Sequence, residues 1–190
     1  NIIDIAGALK FINNVSVKQS GPTGQQTSVF LRGTNSNHTL VLLNGISIND
    51  QSTTNGLYDF GQDFTSNLQR IEVYKGSASA HWGADAIGGA VNLVTDIDWQ
   101  NKIIVGGANG TKSIEGNIAR EMNGWQIGVS GGLHESKTES ALKGGADKDG
   151  AENKSIAVVI KKLFTDKLQF RTKFFTRNTY ADLDGHSLAL

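Results

Sequence analysis

Hydrophobic and polar residues follow different patterns in the two halves of the chain. Up to about residue 97, short apolar runs alternate with long polar loops, whereas the later residues form alternating apolar and polar segments joined mostly by short turns. Alternation with a period of two is typical of β-strands that have one apolar face. The change of pattern predicts a domain boundary, with residues 1–97 in one domain and residues 98–190 in another.

The first half predicts a small mixed α/β domain. Apolar residues at helical spacing occupy 5–12, and Asp4 is suited to cap this helix. The dipeptide Asn44-Gly45 favours a tight hairpin into a return strand at 46–48, because both residues readily adopt positive φ. The other predicted strands lie at 28–32, 39–43, 68–74 and 90–95.

The second half predicts about five antiparallel strands. Apolar residues alternate with polar or small ones from Trp125 to His134, and the stretch 168–177 alternates in the same way except at Phe175. The remaining candidate strands are 102–108, 113–121 and 154–163, and 135–153 is predicted as a long polar loop. Strands of about ten residues with one apolar face suit a membrane-spanning β-sheet, but a soluble sandwich or meander has the same pattern.

Composition narrows the functional classes. The chain has 190 residues, of which 38% are apolar and 19% charged, and such a chain folds. Its 18 basic and 18 acidic residues cancel, which argues against a nucleic-acid partner. The absence of cysteine excludes thiol chemistry. The sequence contains no run of 18 apolar residues, so it predicts no transmembrane helix. No catalytic motif is present and the four histidines are scattered, so we expect no enzyme activity.

Two longer motifs resemble a known family. Residues 29–45 read VFLRGTNSNHTLVLLNG, and residues 71–95 read IEVYKGSASAHWGADAIGGAVNLVT. They resemble the signatures IRG…VLVLIDG and IEVxKGPxSxxYGxxAxGGVVNIxT in the plug domain of TonB-dependent outer-membrane receptors. Departures are small: Ser77 stands where proline is common and Trp82 where tyrosine is common.

The resemblance implies a fold and a function. An α+β plug domain, with a small mixed sheet and short helices, precedes antiparallel strands that are similar to the first five of the family's transmembrane barrel of about 22 strands. Such a chain is an outer-membrane, ligand-gated active-transport receptor for a scarce nutrient, energised by the partner protein TonB and surrounded by outer-membrane lipid. In a complete receptor, the signal peptide and the TonB-contacting segment are expected upstream of Asn1.

The resemblance also assigns candidate site residues in the plug. The polar loops at 20–27 and 49–60 correspond to plug loops that face the nutrient, although ordinary solvated loops have the same composition. Arg32 and Arg70 resemble the plug arginines that pair with barrel glutamates, and a local pair of Arg70 with Asp63 or Glu72 is the alternative. The ligand-contact candidates are Ser20, Gln25, Gln26, Asn49, Asp50, Gln51, Asn55 and Tyr58.

The nutrient is a further expectation. The stretch 32–38 and the sequence Asp147-Lys148-Asp149-Gly150 resemble cobalamin-transporting members of the family, in which an aspartate-rich extracellular loop binds calcium. Cobalamin is therefore the favoured cargo, and calcium is the one candidate cofactor. The resemblance suggests calcium ligands at Asp147, Asp149, Tyr180 and Asp182. The alternatives are a ferric-siderophore receptor of the same family and, from another class, a secreted or periplasmic β-rich binding or scaffold module.

Overall fold

The computed structural model describes residues 4–21, 24–50, 52, 55–62, 68–77, 79–97, 99–108, 110–137 and 150–182. The polypeptide divides into two compact units, which separate between Thr95 and Asp96, and Gly24 also groups with the second unit. This position lies close to the change of pattern at residue 97.

In its described residues, the first unit contains two sheets and two short helices. Strands β1 and β2 form an antiparallel pair, and the other four strands form a sheet in the order β4-β3-β6-β5, in which only β3 and β6 are parallel. The elements in chain order are α1 (Ile5–Leu9), β1 (Val15–Gln19), β2 (Thr27–Leu31), β3 (Thr39–Leu43), β4 (Ile46–Ser47), β5 (Leu68–Lys75), α2 (Ser79–Trp82) and β6 (Gly89–Thr95). Three 3₁₀ turns lie at Ser36–His38, Phe60–Gln62 and Ala84–Ala86.

The helix predicted after Asp4 is present but ends at Leu9. The Asp4 side chain caps it by accepting a hydrogen bond from the Gly7 backbone N–H. Ile5 and Leu9 lie one helical turn apart and point into the core. Among the residues that the structure describes, neither helix is long and apolar enough to cross a membrane.

The main core of the first unit lies between α1, β2 and one face of the four-stranded sheet. Full burial of a valine, leucine, isoleucine or phenylalanine side chain stabilises the fold by about 1.5–3 kcal/mol relative to leaving it exposed. Its buried members are Ile5, Ala6, Leu9, Val29, Leu31, Val41, Phe60, Val91 and Leu93.

Strand β3 is buried on both faces. Val41 points into the main core, whereas Leu40 and Leu42 join Ala86 and Ala90 in a second apolar cluster, against which Trp82 packs. A strand that is apolar at successive positions is expected in the interior of a sheet. The strand predicted at 39–43 is confirmed.

Gly88, directly before β6, and Gly89, its first residue, are required by close packing. Gly89 has φ +139°, and a side chain there would collide with the Tyr74 carbonyl and with Leu31. A side chain at Gly88 would collide with the Thr34 hydroxyl. These contacts explain on steric grounds why the second motif has glycine at both positions 88 and 89.

The second unit is a five-stranded antiparallel meander with its strands in chain order. It contains β7 (Lys102–Ala108), β8 (Thr111–Met122), β9 (Trp125–Lys137), β10 (Gly150–Thr165) and β11 (Leu168–Asp182). Strands β9 and β10 extend into the predicted loop 135–153, because Lys137 pairs in register with Gly150 and backbone pairing continues from there. The side chains in this extension are mainly polar on both faces, which hid the strands from an analysis based on alternation.

The meander has two different faces. The apolar face carries the exposed side chains Ile103, Val105, Ile114, Ile118, Ile127, Val129, Leu133, Ile156, Phe170 and Phe174. The polar face carries Asn117, Gly128, Ser130, His134, Asn153, Lys161, Arg171 and Lys173. Near the short turns, Lys162 Nζ lies 4.7 Å from the centre of the Trp125 ring on the apolar face, within the range of a cation–π contact.

Candidate functional site

The two polar loops predicted to face a ligand are joined in the structure. The Asp59 Oδ1 atom accepts hydrogen bonds from the backbone N–H groups of Thr27 and Gly61, each at 2.8 Å. Gly61 also approaches the Gln25 carbonyl so closely that a side chain at position 61 would collide with it. The described ends of the two loops, at Gln25 and Thr27 and at Asp59, are therefore joined within the first unit.

Asn49 holds the second loop against β3. Its side chain is 7% exposed, and Oδ1 accepts a hydrogen bond from Val41 N at 2.7 Å. The Nδ2 group donates to the carbonyls of Gly56 at 2.9 Å and Thr39 at 3.3 Å. Asn49 therefore positions the loop through its whole amide group, and direct contact with a ligand stays a prediction for this residue.

Asp50 is exposed and supports a tight turn. It accepts hydrogen bonds from the Ser52 hydroxyl at 2.7 Å and the Ser52 backbone N–H at 2.8 Å. These two bonds, the hydroxyl first, hold the pKa of Asp50 below its ordinary value. The carboxylate therefore stays charged at neutral pH beside the loop surface.

The other predicted ligand contacts differ in accessibility. Tyr58 is half-buried against the main core, where its ring meets Phe60 edge-on at a centroid distance of 5.0 Å. Gln25 is also half-buried. The exposed candidates are Ser20, Gln26, Asp50 and Asn55, while Gln51 lies outside the described residues. The ligand role of all of them stays a prediction.

The two family-like motifs contact each other. The backbone N–H of Gly88 donates to the His38 carbonyl at 2.9 Å, and that of Gly76 donates to the Gly88 carbonyl at 3.2 Å. Arg32 has φ +53°, and a Cβ added at Gly76 would lie 3.0 Å from its Nη1 atom. The exposed Arg32 guanidinium thus lies over the start of the loop that follows β5.

Arg70 belongs to a polar network on the sheet. Its Nε atom lies 2.7 Å from Oε1 of Glu72, and Oε2 of Glu72 accepts hydrogen bonds from Asn92 at 2.8 Å and from the Tyr74 hydroxyl at 3.2 Å. The local pair with Glu72 is thus present, whereas the alternative partner Asp63 lies outside the described residues. Contacts of Arg32 and Arg70 with barrel glutamates stay predictions.

The same network changes the ionisation of its members. Hydrogen bonds from Asn92 and then from Arg70 hold the pKa of Glu72 below its ordinary value. The pKa of Tyr74 is raised, mainly because its hydroxyl donates to the Glu72 carboxylate. Sequence reasoning missed Asn92, which is 20 residues from Glu72 and becomes its neighbour only through the register of β5 and β6.

The proposed calcium ligands are only partly described. Asp147 and Asp149 lie outside the described residues, and Tyr180 and Asp182 belong to β11. Tyr180 is 65% exposed and pairs in register with Glu152. Over the described ranges, no three acidic or histidine side chains group as a metal site would require.

A pocket of about 530 Å³ lies at the same end of the meander. The Glu135 carboxylate is 2.8 Å from Lys137 Nζ, and the Glu152 carboxylate is 2.7 Å from Lys154 Nζ. The acidic side chains near the pocket are therefore neutralised by lysines. The lining residues are Glu135, Ser136, Lys137, Gly150, Ala151, Glu152 and Tyr180.

Comparison with known proteins finds a family model that matches most of the first unit. Residues 1–90 match the family model described as TonB-dependent Receptor Plug Domain. This range contains the joined loops, the contact between the two motifs and all members of the Glu72 network except Asn92.

Solved structures share the fold of nearly the whole chain. The ferric enterobactin receptor PfeA of Pseudomonas aeruginosa, solved with enterobactin, is 16% identical, with a TM-score of 0.70, over 95% of this chain and 31% of its own. The siderophore receptor PirA of Acinetobacter baumannii is 18% identical, with a TM-score of 0.71, over 95% and 30%. FpvA of P. aeruginosa, solved with heterologous pyoverdines, is 12% identical, with a TM-score of 0.77, over 94% and 23%. The chain spans less than a third of the length of these receptors.

Proposed function

We propose that the chain acts in the energised import of a ferric siderophore across the bacterial outer membrane. Residues 1–90 match the TonB-dependent receptor plug domain, and the fold of the plug and the strands that follow it matches that of siderophore receptors. The chain is not an enzyme, because plug-domain proteins of this family are transport receptors. Its proposed partners are TonB, the chelate and the surrounding lipid.

The observation that carries this proposal is the direct succession of plug and barrel strands in one polypeptide. The structures whose fold it shares are receptors for ferric enterobactin and other siderophores. Within the plug, Asp59 joins the two polar loops into one surface, which the exposed side chains of Gln26, Asp50 and Asn55 can present to a chelate. We propose this surface as the plug's part of the ligand site.

Cobalamin is a second candidate cargo because of the sequence Asp147-Lys148-Asp149-Gly150. Two carboxylates two residues apart offer the oxygen ligands that calcium prefers. If calcium orders this loop, removing the calcium means that the contacts with cobalamin alone must offset the conformational entropy that the loop loses on ordering. Cobalamin binding is then calcium-dependent, whereas binding of a ferric chelate has no such requirement.

The experiment is an uptake assay in bacteria that lack their own receptors and produce the receptor that contains this chain. Cells with and without TonB are given radiolabelled ferric siderophores of the catecholate and pyoverdine classes or cobalamin. The proposal expects TonB-dependent uptake of a ferric chelate. Uptake of cobalamin alone, lost on calcium chelation or on the double change Asp147→Ala and Asp149→Ala, would instead establish the second candidate. Uptake of neither class would refute both.

A further inference from the structure

The segment Asp96–Asn101 directly follows the last strand of the plug and lies on the polar face of the meander. Its described residues, 96, 97 and 99–101, contact strands β8, β9, β10 and β11. These contacts are apolar, ionic and hydrogen-bonded, and all of them lie within the second unit.

The apolar contact joins Ile97 to β9. Ile97 is 3% exposed, and a Cβ added at Gly128 would lie 3.0 Å from Ile97 Cγ2 and 3.5 Å from Ile97 Cβ. Gly128 is therefore the place on β9 where the absence of a side chain makes room for Ile97. A branched side chain seated this closely resists sliding along the strand.

The ionic contact joins Asp96 to β10 and β11. Asp96 Oδ2 lies 3.4 Å from Lys161 Nζ and 3.2 Å from Arg171 Nη2, and these two cations are direct partners in the strand register. The Asp96 and Lys161 side chains are only 18% and 13% exposed. Lys161 Nζ also lies 4.6 Å from the centre of the Trp99 ring, so a second residue of the segment contacts the same cation.

Hydrogen bonds join the end of the segment to β8. The Asn101 Oδ1 atom accepts from Ala119 N at 2.8 Å, and the Asn117 side chain donates to the Gln100 carbonyl. Four neighbouring strands therefore hold the five described positions of the segment. The apolar, ionic and hydrogen-bonded contacts with these strands must all break before the segment can leave the sheet.

We propose that Asp96–Asn101 is a fixed anchor that stays on the meander during transport and holds the C-terminal end of β6. The plug rearrangement that opens a path is then confined to residues N-terminal to Thr95. This inference rests on the proposed transport function. It adds that the covalent connection between plug and barrel does not move during a transport cycle.

An engineered disulfide tests the anchor: these 190 residues contain no cysteine, and any cysteine elsewhere in the receptor is first replaced by serine. Ile97→Cys with Gly128→Cys would place two Cβ atoms 3.5 Å apart, at the short end of the range of about 3.5–4.5 Å that a disulfide accepts. In receptor-producing cells, we expect TonB-dependent ferric-chelate uptake to agree within twofold between oxidised and reduced double variants. Uptake that stops on oxidation and returns on reduction would overturn the anchor. Each single cysteine variant, treated with the same oxidant, is the control.

A labelling experiment keeps the proposal testable if the double variant does not reach the membrane. The single variant Ile97→Cys is treated with a maleimide that enters the periplasm, before and during energised uptake. The anchor predicts slow labelling in both conditions and at least tenfold faster labelling when Asp96→Asn is added. Labelling that accelerates during uptake, or that is unchanged by Asp96→Asn, would overturn it. If the unmodified receptor imports no chelate, the proposed function fails, while the comparison with Asp96→Asn at rest still decides whether the segment is anchored.

Discussion

Asn44 and Thr95 exchange two hydrogen bonds across the sheet of the first unit, although they are 51 positions apart in the chain. The Asn44 side chain donates from Nδ2 to Thr95 Oγ1 at 2.9 Å and accepts at Oδ1 from Thr95 N at 3.0 Å. Asn44 has φ +52° in the hairpin between β3 and β4, a conformation that asparagine tolerates. The hairpin is thereby fastened to the last residue of the plug.

The first prediction is that residues 1–97 fold without the meander. Their buried residues form a core of their own, and their pattern has no lipid-facing stripe. Circular dichroism of the soluble fragment should show ordered β-structure, and fluorescence of Trp82, its single tryptophan, should report cooperative unfolding. An insoluble or unstructured fragment would contradict this expectation.

The second prediction concerns Asn44. Asn44→Ala removes two hydrogen bonds and places alanine in the left-handed region, so we expect the free energy of unfolding to fall by about 2–4 kcal/mol. Asn44→Gly removes the same bonds without that backbone cost, so its loss should be about 1–2 kcal/mol smaller. Urea unfolding of the 1–97 fragment measures both. Equal losses in the two variants would show that the backbone conformation of Asn44 contributes nothing.

The third prediction concerns pH and Glu72. The folded plug holds the pKa of Glu72 below its ordinary value of 4.5, so the charged network stabilises the fold above that pH and the stabilisation is lost as pH falls through the lowered pKa. Glu72→Gln should therefore reduce the loss of stability between pH 6 and pH 3. Parallel urea titrations of the fragment and the variant test this. Glu115→Gln in the full chain is a control outside the network, and an unchanged pH profile for Glu72→Gln would count against the assignment.

The fourth prediction concerns Asp59. Asp59→Ala removes the acceptor that joins Thr27 and Gly61, so the two loops should separate and chelate affinity should fall about 5- to 30-fold, as expected for one or two lost hydrogen bonds. Asp59→Asn retains an acceptor oxygen and should bind nearly as well as the unmodified receptor. Equilibrium titration of the receptor with the imported ferric chelate measures both. If Asp59→Asn binds the chelate as weakly as Asp59→Ala does, the negative charge of Asp59 has a role in binding.

The fifth prediction tests which face of the meander meets lipid. Phe174 and Phe175 are adjacent phenylalanines whose side chains point to the apolar and the polar face, respectively. Phe174→Arg should cost about 2–4 kcal/mol on folding into lipid vesicles, and Val129→Arg should behave alike. Phe175→Arg should cost much less. Equal costs at positions 174 and 175 would argue that the apolar face does not contact lipid.

Much of the fold could be predicted from local pattern. The cap at Asp4, the Asn44-Gly45 hairpin and the five strands of the meander are confirmed, because short-range periodicity and turn chemistry decide them. Strand β1 was missed, because Val15 and Val17 are its only apolar residues and two positions make a weak pattern. The short helix α2 was missed for a similar reason: four residues are too few to show a helical period.

The site was less predictable because its contacts join distant parts of the chain. The polar loops could be proposed from composition and resemblance, but nothing near Asn49 indicates that its amide binds the backbone of β3. Asp96 likewise looks like an ordinary linker aspartate, and its partner Lys161 lies 65 positions away. Such pairs depend on sheet register, which only the assembled fold defines.

The Asn49 amide also has a consequence for self-association of the plug. Along β3, Ile48 N donates to the Val41 carbonyl at 2.9 Å, and Asn49 then bonds Val41 N and the Thr39 carbonyl. The Asn49 side-chain amide thereby forms the hydrogen bonds that a further backbone residue of the two-residue strand β4 would form with β3. Exposed backbone groups at a sheet margin otherwise recruit strands from other molecules and lead to aggregation. A single asparagine thus protects this margin of the plug from intermolecular pairing.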